Sequence, residues 1–129
     1  MPTTELTAPL YAIKADLFRS LAHPTRIQVL EVLSAAPDHA ASVSTLLAAT
    51  GAEASALSQH LAVLKRSGVV ASARTGNAVV YRLSRPLVAE LLVVARAFLR
   101  EILSESGAQL AAADDLPPLS DVHGGGDGS

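Results

Sequence analysis

Cysteine is absent from this 129-residue chain, which excludes disulfides, thiolate metal sites and thiol redox switches. Tryptophan is absent too, and aromatic residues make up only 3% of the chain. A core must therefore be filled by Leu, Val, Ile and Ala. No apolar run approaches the length of a membrane span. The N-terminus MPTTELTAPL lacks the basic start and apolar stretch of a secretory signal, so a cytoplasmic location is expected. No Ser/His/Asp arrangement, phosphate loop or paired-carboxylate pocket is evident, and an enzyme is not expected.

A more local absence is sharper. From Ala54 through Ala89 there is no Asp or Glu, while Lys65, Arg66, Arg74, Arg82 and Arg85 are all basic. The mean charge hides this segregation. The chain carries a formal net charge of −2, yet residues 1–100 hold all 10 basic and 6 acidic residues, and residues 101–129 hold 6 acidic and no basic ones. A cationic body with an anionic tail suits a polyanionic partner better than the average suggests.

What is present has helical punctuation. Leu10, Ile13, Leu17 and Leu21 recur at helical spacing with Phe18 beside them, predicting a first helix that ends near His23-Pro24. Pro24 opens a second helix carrying Ile27, Leu30 and Leu33, ending near Ala36-Pro37, and Pro37-Asp38-His39 reads as a loop. Ser42 is an expected N-cap for a short third helix with Val43, Leu46 and Leu47 inward. After the Thr50-Gly51 turn, a fourth helix runs from about Glu53 to Ser67 with Leu57, Leu61 and Leu64 as its core stripe. Two short helices joined by a tight Gly turn form a helix-turn-helix. Val69–Ala73 and Ala78–Leu83 read as two short strands joined at Thr75-Gly76-Asn77. Pro86 opens a fifth helix reaching about Ser104. The expected organisation is a flexible N-terminus (1–8), one folded domain (9–105) and a disordered acidic tail (106–129). The expected fold class is mainly α with a small β-hairpin.

With Leu57, Leu61 and Leu64 inward, Ser55, Ser58, Gln59, Ala62 and Arg66 point outward or to the flanks of the fourth helix. Ser58 and Gln59 can reach base edges in a major groove, where Gln pairs with adenine in bidentate fashion. Lys65, Arg66, Arg74, Arg82 and Arg85 read as phosphate contacts, Arg74 and Lys65 foremost, with Asn77 at the hairpin tip. His60 borders the core stripe and fits either a DNA contact or a packing bond at the helix junction. Tyr81 reads as a strand packing residue. In the fifth helix, Leu87, Leu91, Val94, Phe98 and Ile102 add to a broader apolar surface than one small domain can bury. The first helix, with Leu10 and Leu17, is similarly broad. A second copy is the expected cover, giving a homodimer.

The segments LFRSLAHPTRIQVLEVL (17–33), ALSQHLAVLKRSGVV (56–70) and GNAVVYRLS (76–84), in this order and at these distances, resemble the ArsR/SmtB family of bacterial regulators. The likeness spans roughly Tyr11 to Leu103. It implies a winged helix-turn-helix with four helices, two strands and a fifth helix. It further implies a homodimeric, usually repressing, transcription factor whose fourth helix enters double-stranded DNA, a role the LSQHL segment fits. Arg26 matches an Arg of the family's LAHPTRIQVL element and is expected either to brace the fold through an acidic partner or to touch a phosphate, bracing being the favoured reading.

The family's thiolate metal site needs Cys where this chain has VSTLLAAT (43–50), and its fifth-helix site needs His where this chain offers only Glu90 and Glu101. No cofactor is therefore expected. A nickel- or zinc-responsive regulator with an unconventional site remains the alternative, with His23, His39 and His123 as weak candidate ligands. A protein-interaction module that binds another regulator is the alternative of another class, disfavoured by the acid-free span. The small-molecule, metal or protein effector is left open.

Overall fold

The computed structural model describes residues 8–105. The expected flexible start, apart from Ala8, and the acidic tail with His123 lie outside the described residues. Helix α1 is Ala8–Leu21, α2 is Pro24–Ala35, α3 is Val43–Thr50, α4 is Ala54–Arg66 and α5 is Leu87–Ser104. Three strands, β1 (Ala40–Ser42), β2 (Val70–Thr75) and β3 (Ala78–Leu83), form one sheet.

Each helix boundary has a local cause. Pro24 stands in the first turn of α2, where its missing N–H costs nothing, and the His23 ring caps that helix by accepting from the Thr25 N–H at 3.1 Å. The Ser42 hydroxyl accepts from the Thr45 N–H at 3.1 Å and starts α3. Gly51 ends α3 at φ 68°, a left-handed conformation open to glycine, and its N–H returns to the Leu47 carbonyl at 2.9 Å. That turn lets α4 follow after only a few residues.

The core is aliphatic throughout. Val29, Leu30 and Leu33 of α2, Leu46 of α3 and Leu57, Leu61 and Leu64 of α4 are buried together, with Val69, Val70 and Leu83 from the strands. From α5, Val88 and Leu92 reach the same cluster. Tyr81 is half-buried against it, in the packing role its strand position predicts.

The sheet departs from expectation. Two strands are predicted, but the order is β1-β3-β2, with Ala40 opposite Arg82 and Ser42 opposite Val80. Ala40-Ala41-Ser42 has no β-branched or alternating pattern, so the strand has no local signal; it exists because β3 offers a second edge. The expected loop before it is a single 3₁₀ turn, Pro37–His39, with Asp38 at φ 57° and His39 at φ 54°. That left-handed pair turns the chain out of α2 and into β1. The β2–β3 hairpin closes on the Thr75–Ala78 pair, leaving Gly76-Asn77 as a two-residue loop. Only Gly76 takes a positive φ there (63°), as a II′ turn requires at its first central position.

Two faces are left uncovered. Leu21 is the one buried residue of α1. Ile13 is 62% exposed, and Leu10, Tyr11, Leu17 and Phe18 are exposed beside it. On α5, Val94 is 65% and Phe98 63% exposed, against 7% and 8% for Val88 and Leu92 on the inner face. All seven residues expected at a dimer interface (Leu10, Leu17, Leu87, Leu91, Val94, Phe98 and Ile102) are exposed in the single chain. No helix among the described residues is long and apolar enough to cross a membrane.

Candidate nucleic-acid interface

Burial of Leu57, Leu61 and Leu64 fixes how α4 is rotated. Ser55, Ser58, Gln59, Ala62, Lys65 and Arg66 are all exposed as a result. The side chains of Ser58 and Gln59 make no hydrogen bond to the described residues, so their hydroxyl and amide are available to an external partner. Ser55 differs: its hydroxyl donates to Glu53 Oε1 at 3.2 Å. Glu53 stands at the N-cap of α4, one residue outside the acid-free span, and places a carboxylate at the mouth of the helix. The sequence reading of the interface missed it.

The wing is tied to this helix. Lys65 Nζ donates to the Ser72 hydroxyl of β2 at 2.9 Å, and the Val69 N–H returns to the Leu64 carbonyl at 3.2 Å. Ser84 Oγ donates to the Gly68 carbonyl at 3.0 Å from the other end of the hairpin. Lys65 therefore acts as a brace between helix and wing as well as a surface cation. Arg66 lies on the other flank, sharing a cleft with Asp16, Arg19 and Ser20 of α1, where Arg19 is ion-paired to Asp16.

Strand register sorts the wing cations. Residues directly opposite each other in an antiparallel pair share a face, and faces alternate along a strand. Arg74 faces Val79, on the side that carries Ser72, Tyr81, Val70 and Leu83. Arg82 pairs with Ala71 and Ala40 on the opposite side. The expected set of phosphate contacts is therefore not one patch: Arg74 lies on the side of the sheet that meets α4, and Arg82 on the far side. Asn77 and Arg74 are both exposed near the tip.

His60 is half-buried on the flank of α4. Its Nδ1 accepts from Arg26 Nε at 3.1 Å, and its ring lies 4.1 Å from that of His23, centroid to centroid, tilted by 40°. Arg26 also donates through Nη1 to the Ser20 carbonyl at 3.1 Å. Arg26 braces the fold as expected, but through an imidazole and a carbonyl and not through an acid. Burial first, then the neighbouring His23 and the Arg26 guanidinium, hold the His60 pKa below the usual histidine value of 6.5. Sequence reading saw no histidine pair at ligand spacing. The fold brings His23 and His60 together from 37 positions apart, and neither helical nor loop spacing signals that. Among the described residues, no three His, Cys, Asp or Glu side chains gather as a metal site, and His39 stands apart in the left-handed turn before β1.

This geometry has known counterparts. Residues 21–73 match a helix-turn-helix domain family. The HTH-type transcriptional regulator Rv0081 of Mycobacterium tuberculosis is 48% identical over 109 residues, which span 84% of this chain and 90% of the relative. The chain belongs to the ArsR/SmtB family of winged helix-turn-helix transcriptional regulators. ArsR/SmtB likeness extends to three dimensions. The crystal structure of Rv0081 superposes with a TM-score of 0.68 at 49% identity, covering 76% of this chain and 96% of that one. The homodimeric winged helix-turn-helix DNA-binding domain of Mb0332 from Mycobacterium bovis, an ArsR-family candidate, gives 0.69 at 27% identity over 80% and 93%. The transcriptional repressor BigR from Xylella fastidiosa gives 0.63 at 29% over 75% and 96%.

Proposed function

We propose that this ArsR/SmtB protein is a homodimeric repressor that binds an inverted-repeat operator through α4 and the wing. One observation carries the reading. The unpaired Ser58 and Gln59 face outward from a helix locked by three buried leucines, with Arg74 exposed on the adjoining side of the sheet. Such a helix can place a bidentate amide against adenine in the major groove while the wing holds phosphate. The uncovered faces of α1 and α5 supply the dimer contact, as an ArsR-type homodimer like that of Mb0332 requires. A two-fold dimer sets its two reading helices about 34–36 Å apart, hence the inverted repeat. The repressing sense is supported by the likeness to BigR.

The test is fluorescence anisotropy of the full chain on a duplex from upstream of its own coding sequence against a random duplex of equal length. A preference for the upstream duplex supports the reading. Equal affinity for both defeats sequence-specific binding there, and failure to bind either one favours a protein partner in place of DNA. Repeating the titration in chelator and then with nickel or zinc tests the metal-responsive alternative, in which affinity shifts with the ion.

A further inference from the structure

We infer that Arg26, His23 and His60 position the recognition helix through imidazole nitrogens acting as acceptors, so that operator binding weakens on acidification. This rests on the DNA-reading assignment of α4 and adds a positioning device and a proton response to it.

The geometry defines the proton positions. His60 Nδ1 accepts from Arg26 Nε, so its proton is on Nε2. His23 Nδ1 accepts from the Thr25 N–H as the cap of α2, so its proton is on Nε2 as well. Both rings are neutral in this arrangement, and both use the same nitrogen as acceptor. Arg26 joins three elements: its own α2, the Ser20 carbonyl near the end of α1, and His60 midway along α4, next to Gln59.

A proton on His60 Nδ1 turns the acceptor into a donor facing another donor, and sets an imidazolium against a guanidinium. A proton on His23 Nδ1 removes the α2 cap and puts positive charge at a helix N-terminus, where the macrodipole opposes it. With the rings 4.1 Å apart, charge on either one also repels the other. Asp16 of α1 is paired with Arg19 and lies in the cleft by Val63 and Arg66, and β2 meets α4 through Ser72 at Lys65. Among the described residues no carboxylate bonds either ring. Protonation therefore breaks the polar tie between α2 and α4 next to Gln59, while the buried leucines keep the helix in the core.

The sign separates this role from a direct one. A histidine touching phosphate tightens DNA binding when protonated, whereas this brace weakens it. The experiment is anisotropy on the upstream and random duplexes at pH 7.5 and 5.5, for the wild type and for His23→Asn/His60→Gln. Asparagine keeps a capping acceptor and glutamine a carbonyl acceptor, and neither titrates. Wild-type preference for the upstream duplex should fall about tenfold between the two pH values, as expected for losing a hydrogen bond to a charged group. The double variant, whatever its affinity at pH 7.5, should change less than about twofold. A wild-type affinity that holds or rises on acidification overturns the proposal, as does a double variant that falls as steeply. If the upstream duplex shows no preference even at pH 7.5, the DNA reading has failed. Nitrogen-15 shifts of the imidazoles then still decide the brace: bare Nδ1 on both rings at pH 7.5 supports it, and a protonated His60 Nδ1 refutes it.

Discussion

Replacing Arg74 by alanine tests the phosphate contact proposed for the wing. The side chain is exposed on β2, one pair from the end of the hairpin, and has no hydrogen bond or ion pair among the described residues. Its removal leaves the fold intact, and stability should move by no more than about 0.5 kcal/mol. Each phosphate neutralised on B-DNA contributes about 0.9 to the slope of log affinity against log salt, so a dimer that loses both wing contacts loses about 1.8. Raising salt from about 50 to about 200 mM should then weaken the wild type about twelvefold more than the variant. Anisotropy titrations across that range give the two slopes directly. The loss should also be the same on upstream and random duplexes, because phosphates carry no sequence. Parallel salt lines for the two proteins would show that Arg74 touches no phosphate and would refute the placement of the wing. A loss confined to the upstream duplex would instead assign Arg74 to base reading.

Gln59→Ala should cost about 1–3 kcal/mol on the upstream duplex and little on random DNA; equal losses on both would reject α4 as the reading helix. Val94→Asp with Phe98→Asp puts charge on the uncovered face of α5, and should convert the dimer to a folded monomer in sedimentation while leaving helix content unchanged. Leu46→Ala empties a fully buried position of α3 in the shared core and should cost about 2–5 kcal/mol in denaturant unfolding. Deleting residues 107–129 removes four of the 12 acidic residues and should raise affinity for random duplex at low salt in the same anisotropy assay.

Proton linkage at His60 adds a stability signature in the same direction as the DNA effect. Its pKa in the folded chain lies below that of the unfolded chain, so unfolding takes up a proton. The contribution is complete above the unfolded value of about 6.5 and is lost as pH falls through the folded one.

The helices and the hairpin were legible because their signals are local. The leucines at 57, 61 and 64 mark the inner face of α4, Ser42 and Pro24 mark helix starts, and Gly76-Asn77 marks the turn. The outward residues of α4 followed from the same spacing. Strand β1 was not legible, because three small residues become a strand only when β3 is there to pair with them. The Arg26–His60 bond joins positions 34 apart and the two histidines lie further apart still, so no window of sequence contains them. The division of Arg74 from Arg82 likewise needed the register, which the hairpin turn sets and the charge pattern does not reveal.

Ser42 belongs to two elements at once: it is the last residue of β1, opposite Val80, and the cap whose hydroxyl starts α3. The segment has no slack residue. One amino acid inserted at this junction must either slip the strand against β3 or move the cap off the helix, so the helix-turn-helix is indexed to the wing in whole-residue steps. The hairpin tip between Thr75 and Ala78 has no such double duty. A residue added at the tip would therefore lengthen the wing outward while the join of β1 to α3 stays fixed, like a ruler extended only at its free end.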